Sequence, residues 1–266
     1  MPRFAANLSL LYPEHGFLDR FEAAARDAFE GVEFLFPYAW PAAEITARLR
    51  ANGLQQVLFN APPGDWDGGE RGLACLPGRE AEFREGLQQA LRYARDLGCE
   101  RLHVMAGRVP AGLTRDAVRP TYVANLRWAA ALAAREGVRL MIEPINGRDM
   151  PGYFLNDFDQ AARIVDDIGS SRLGLQFDLW HAARIHGDAD AVFARHRDRI
   201  NHIQIAGFPA RNEPGGGGFD LTGLCAALDE GDWPGFVAAE YIPARATVHG
   251  LLWLQVLKRR SQPIGA

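Results

Sequence analysis

A single-domain α/β TIM barrel of eight strand–helix units, filling residues 1–266, is the fold this sequence predicts. Short apolar runs alternate with amphipathic stretches of helical length, and the runs number eight. No linker, low-complexity segment or shift in composition divides them. Eight such units close a parallel barrel in about 250 residues. A doubly wound open sheet is the competing architecture, but it calls for a glycine-rich turn after the first strand, and residues 7–16 offer none.

The strands are read at residues 4–8, 31–36, 55–60, 101–106, 139–143, 173–178, 200–204 and 236–240. Each is almost continuously apolar, as suits strands covered on both faces. Between them, residues 18–29 place Leu18, Phe21, Ala25 and Phe29 at helical spacing, and a helix over 42–52 follows Pro41 and stops at Gly53. Residues 80–97 carry Phe83, Leu87, Leu91 and Ala94 on one face, and residues 121–136 carry Tyr122, Leu126, Ala129 and Ala133. Pro120 is expected to kink or restart the latter. The next helix starts at Asn156 or Asp157 as cap and ends near Gly169.

Composition excludes several classes. With 29 Lys+Arg against 33 Asp+Glu the net charge is -4, so a dedicated nucleic-acid binder is disfavoured. No apolar run approaches the roughly 18–20 residues of a membrane span, and residues 1–9 hold no apolar signal core, which points to a cytoplasmic protein. Cys75, Cys99 and Cys225 are too scattered for a disulfide framework or a zinc knuckle.

A barrel gathers its chemistry at the carboxyl ends of its strands. There the second half of the chain is unusual: successive strands finish on Glu143, Asp178, Gln204 and Glu240, at intervals of 35, 26 and 36 residues. Each alone reads as a loop-entry residue or a helix cap. Together, three carboxylates facing one mouth repel one another unless a cation relieves them, and an all-oxygen set suits Mg²⁺ or Mn²⁺. With such a metal, Glu143 and Glu240 can move a proton between adjacent carbons through an enediolate, although spacing alone leaves metal-assisted hydrolysis open. His181, three residues past Asp178, is either a surface histidine or a donor to a substrate oxygen. Arg211 is either an idle loop arginine or a fork for a substrate carboxylate. The glycine run 215–218 reads as a mobile lid, since no Gly-Lys-Ser/Thr follows it. Residues 61–78 form a long loop with Trp66 placed to cover a small substrate or pack on the rim; Phe36-Pro37-Tyr38 is a second candidate lining segment. His103 and His202 fall inside strands and read as satisfied core residues.

The stretches Phe4-Ala5-Ala6-Asn7-Leu8-Ser9, Gly31-Val32-Glu33-Phe34-Leu35-Phe36-Pro37-Tyr38 and Gly64-Asp65-Trp66 resemble the hydroxypyruvate isomerase family. So do Gly69-Glu70-Arg71-Gly72, Pro77-Gly78-Arg79-Glu80, Ile142-Glu143-Pro144-Ile145-Asn146, Gln204-Ile205-Ala206 and Glu213-Pro214-Gly215. The resemblance covers essentially the full chain and places it among the xylose-isomerase-like metal-dependent barrels. It implies interconversion of hydroxypyruvate and 2-hydroxy-3-oxopropanoate, with Glu143 and Glu240 as acid/base pair. It implies Glu143, Asp178, Gln204 and Glu240 as metal positions. It also implies a small hydroxy-oxo acid contacted by His181 and Arg211; Glu70 and Trp66, in the long loop, are further substrate-binding candidates. Three positions depart from the family pattern: Phe59 replaces a frequent His, Gly207 an expected Asp, and Phe219 a common Glu. Sister isomerases of 2-oxotetronate and ketose epimerases share most of these motifs. A metal-dependent apurinic endonuclease and a non-catalytic sugar-acid binder complete the alternatives. The apolar stripe over 253–260 suits either barrel packing or a contact between like subunits.

Overall fold

The computed structural model describes residues 2–215 and 220–260. Eight parallel strands close into a barrel in sequence order. They are β1 (Arg3–Asn7), β2 (Gly31–Phe34), β3 (Gln55–Asn60), β4 (Arg101–His103), β5 (Arg139–Ile142), β6 (Leu173–Asp178), β7 (Ile200–Ile205) and β8 (Phe236–Ala239). β1 pairs with both β2 and β8, with Ala5 opposite Gly31 on one side and Ala238 on the other. The helices on the outside are α1 (Arg20–Arg26), α2 (Ala42–Ala51), α3 (Glu80–Leu97), α4 (Arg115–Arg135) and α5 (Phe158–Ile168). They continue as α6 (Leu179–His186), α7 (Ala189–His196), α8 (Leu221–Glu230) and α9 (Leu252–Arg260). None of the described helices is long and apolar enough to cross a membrane.

Two apolar layers hold the fold. Ala5, Val57, Leu58, Met141, Phe236 and Ala238 form a small cluster of their own, separate from the large core between sheet and helices. At Gly31 a Cβ would lie 2.6 Å from the Val57 side chain, so the residue at this point of β2 must lack one. Because strand side chains alternate at a period of two, the positions two residues beyond this layer share its face. Asn7 follows Ala5, Glu33 follows Gly31, Glu143 follows Met141, and Glu240 follows Ala238. The period that packs the floor also delivers the polar groups above it.

Helix faces and stops follow the sequence closely. Phe83, Leu87, Leu91 and Ala94 are buried on α3, and Tyr122, Leu126, Ala129 and Ala133 on α4. Asp157, not Asn156, caps α5 by accepting from the Gln160 amide at 2.6 Å, and Gly169 ends it at a left-handed φ of 64°. Three elements differ by three residues or more. The helix read at 18–29 is a 3₁₀ turn, Phe17–Asp19, followed by the shorter α1, and the chain leaves through Ala28 at φ 65°. Pro120 does not restart α4, which begins at Arg115 capped by Thr114; only the Asp116 carbonyl is denied its intrahelical N–H. β4 stops at His103 because residues beyond it turn to the loop after β3 and the one after β5: Ala106 O accepts from Cys75 N, and its N–H donates to the Tyr153 hydroxyl, both at 2.8 Å. On α9, Trp253, Leu254 and Leu257 pack inward, with Trp253 edge-on to Phe4 at 5.6 Å.

Candidate active site

A cavity of about 300 Å³ opens at the carboxyl ends of the strands, lined by Glu143, Gln204, Glu240, His181, Arg211 and Trp66 among others. Asp178 lies beneath it, fully buried, at the β6–α6 junction. Its Oδ1 caps α6 by accepting from Trp180 N at 2.8 Å, which leaves Oδ2 facing Arg211 and His181. Strand end and helix start thus fix this carboxylate with no freedom to turn away.

Arg211 reaches across the group. Its Nη2 lies 2.9 Å from Glu240 Oε2 and 3.3 Å from Asp178 Oδ2, and its guanidinium sits 4.8 Å from the centre of the Trp180 ring. Its backbone is in the left-handed region at φ 59°, an uncommon conformation for arginine, held by hydrogen bonds on both sides from Arg211 N to Gly207 O and from Ile242 N to Arg211 O. Glu240 is held at its other oxygen by Asn7 Nδ2, 3.0 Å away.

Glu143 is the least satisfied of the set. Its Oε1 is buried with no hydrogen-bond partner among the described residues and lies 4.0 Å from His181 Nε2, while its Oε2 lies 3.8 Å from His103 Nε2. Burial first, then the neighbouring Glu240 and Asp178 carboxyls, push the Glu143 carboxyl well above its ordinary range. Burial likewise lifts Asp178 to about 6 and Glu240 to about 8 against the pull of Arg211. An orphan carboxylate oxygen and three carboxyls that cannot ionise together at little cost are the conditions a divalent cation relieves.

His181 is oriented as a donor. Asn146 uses its carbonyl to accept from the backbone of Arg148 and Asp149, so its Nδ2 faces His181 Nδ1 at 2.8 Å. That places the imidazole proton on Nε2, aimed at Asp178 and Glu143. Burial and Arg211 hold the ring neutral, its pKa well below the ordinary value. Glu143, Asp178 and His181 lie close enough to share an ion, but the tautomer favours oxygen donors and reserves His181 for hydrogen bonding.

Gln204 is fixed at both ends. Its Nε2 donates to Glu33 Oε1 at 2.7 Å and its Oε1 accepts from Gln176 Nε2 at 2.7 Å, leaving one lone pair of the carbonyl oxygen. Glu33 is fully buried and also accepts from Asn7 Nδ2 at 2.9 Å and pairs with His202 Nε2 at 2.7 Å. Sequence reading missed Glu33, Asn7 and Gln176. A carboxylate inside an otherwise apolar strand was the available signal for Glu33.

Other expectations are corrected. His103 lines the cavity and is not a satisfied core residue: Nδ1 meets Asn60 Oδ1 at 3.2 Å and Nε2 has no hydrogen-bond partner among the described residues. Burial, then His202, lowers its pKa to about 3, so it is neutral. Glu70 faces away from the cavity: it pairs with Arg79 at 2.7 Å and accepts from Asp65 N at 2.6 Å, closing the turn that carries its neighbours. Arg71, next along the chain, lines the cavity instead. Trp66 does line it, tilted against Phe36 at 5.0 Å. Phe59 packs outward against Tyr38 and Phe34, so that departure leaves the cavity untouched. At Gly207 a Cβ would lie 2.3 Å from Glu213 O, so this loop as folded has no room for an aspartate. Residues 216–218 of the glycine run, and Phe219, lie outside the described residues.

A closed eight-stranded barrel whose carboxylates meet at the carboxyl ends of the strands defines the class, a (β/α)₈ enzyme. Residues 21–257 match the model of the xylose isomerase-like TIM barrels, and the chain belongs to that family. It is 53% identical to the 2-oxo-tetronate isomerase of Cupriavidus necator, over 96% of this chain and 98% of that one. It is 44% identical to the hydroxypyruvate isomerase of Escherichia coli, again over 96% and 98%. A Brucella melitensis protein described as an AP endonuclease, family 2, superposes at a TM-score of 0.93 with 42% identity, covering 96% of this chain and 99% of that one.

Proposed function

We propose that this chain is an isomerase of small hydroxy-oxo acids, interconverting hydroxypyruvate and 2-hydroxy-3-oxopropanoate, with Glu143 and Glu240 as the acid/base pair. The observation that carries this reading is the placement of those two glutamates, each buried at the end of its strand, on one cavity of about 300 Å³. One carboxylate takes a proton from C3 to give the enediolate, the hydroxyl proton passes from O3 to O2, and the other carboxyl delivers a proton to C2 as the C3 carbonyl forms. His181 Nε2 donates to the oxygen on which charge develops. Each positioned proton transfer contributes about 10²–10⁴-fold. Glu143, Asp178, Gln204 and Glu240 are the residues that would hold Mg²⁺ or Mn²⁺, which would supply Lewis acidity for the charge that develops on the substrate. Arg211 keeps the Asp178 and Glu240 carboxyls in place.

The 53% identity to a 2-oxo-tetronate isomerase favours a second reading, the same chemistry on a four-carbon 2-oxo acid. Solvent exchange in D₂O with either metal and a panel of three- and four-carbon 2-oxo acids tests both. Deuterium on the carbon next to the carbonyl, abolished by chelator, supports the isomerase, and the fastest acid names the substrate. No exchange with any acid, together with cleavage of abasic duplex DNA, would replace it by an endonuclease.

A further inference from the structure

A carboxylate-bearing substrate needs a cationic contact, and the sequence offers Arg211 for it. The structure commits Arg211 to Glu240 and Asp178. The other arginine lining the cavity is Arg71. We propose that Arg71 binds the substrate carboxylate and so selects 2-oxo acids over neutral ketoses of the same length. This rests on the isomerase reading and names the residue that sets its substrate class.

Arg71 is presented as a built group. Its Nη1 donates to Trp66 O at 2.8 Å and Glu70 O at 2.6 Å, and its guanidinium lies over the Trp66 ring, 3.9 Å from the centroid. Among the described residues its Nε and Nη2 donate to no protein acceptor, which leaves the edge that forks onto a carboxylate. The residues on either side hold it there. Glu70 is pinned by Arg79, and Gly72 takes φ 110° against the exit of β4, where a Cβ would stand 2.3 Å from Met105 O. Electrostatics orient the ligand: with its reacting carbons between Glu143 and Glu240, a substrate carboxylate is repelled by those groups and by Asp178. Arg71 is the cavity arginine not already neutralising them.

The test compares hydroxypyruvate with dihydroxyacetone, in which a hydroxymethyl group replaces the carboxylate. Arg71→Met is expected to raise KM for hydroxypyruvate about 10- to 100-fold, the loss of one charge-assisted pair, with kcat within a few-fold. The kcat/KM for dihydroxyacetone should not change, and Arg71→Lys should recover part of the loss. Calorimetric binding of tartronate, which needs no turnover, should weaken in parallel. Unchanged KM and tartronate affinity, or an equal fall for charged and neutral substrates, overturns the assignment. If tartronate binding depends on Arg71 while no acid is isomerised, the anchor stands and the isomerase reading fails. Intact turnover with no dependence on Arg71 keeps the isomerase and removes the anchor.

Discussion

Glu33 Oε1 and the Gln204 side-chain amide are joined by a 2.7 Å hydrogen bond between two residues with almost no solvent exposure. A carboxylate only accepts, so the bond turns the Gln204 nitrogen toward β2 and its carbonyl oxygen toward Gln176. The same carboxylate receives Asn7, whose Nδ2 also reaches Glu240. One buried residue therefore sets the orientation of two of the four proposed oxygen donors. Glu33→Ala is expected to cost about 3 kcal/mol in stability, because it strands the donors of Asn7, His202 and Gln204. Metal affinity should fall about 10- to 100-fold, as for partners that orient ligands elsewhere. Denaturant titration and metal-binding calorimetry read the two effects. Wild-type values in both would contradict the positioning role.

Metal binding has a stability signature independent of turnover. Mn²⁺ at about a hundredfold excess over its dissociation constant should stabilise the fold by about 2.7 kcal/mol, raising the melting temperature by roughly 5–10 °C. A chelator should reverse the gain, and Asp178→Asn should lack it. A melting curve that ignores the metal would remove the cation from the site.

Gly72 is a point where the carrier loop tolerates no side chain. Its φ of 110° and the 2.3 Å that would separate a Cβ from Met105 O make Gly72→Ala destabilising on two counts. Together these amount to about 2–4 kcal/mol. The measurement is a denaturant midpoint at unchanged slope; a loss under half a kcal/mol would mean that the loop adapts.

Acid should loosen the same loop. Arg79 beside Glu70 lowers its carboxyl below the ordinary value of 4.5. A depressed folded-state pKa gives stability that is fully present above the unfolded value and is lost as pH falls through the folded one. Glu70→Gln should therefore flatten the acid limb of the stability curve below pH 4.5, by under about 1 kcal/mol because the pair is partly exposed. A variant whose acid limb is as steep as the wild type would dissociate Glu70 from this effect.

The barrel was legible because a parallel strand buried on both faces has little choice of composition, and all eight runs lie where strands form. The gathering of Glu143, Asp178, Gln204 and Glu240 was legible for the related reason that strand ends converge on one rim. What escaped was polar chemistry inside the strands. Asn7, Glu33, His103 and Gln176 look like isolated polar residues until closure brings them within hydrogen-bond reach of partners up to 233 positions away. Arg71 and Glu70 are adjacent, and only the turn closed by the Glu70–Arg79 pair decides which faces the cavity.

Turnover and substrate affinity of Glu143→Gln and Glu240→Gln, measured with metal content confirmed, test the proposed acid/base pair most directly. Each variant is expected to lose about 10²–10⁴-fold in kcat while KM stays within a few-fold. Either variant isomerising at close to the wild-type rate would contradict the assignment.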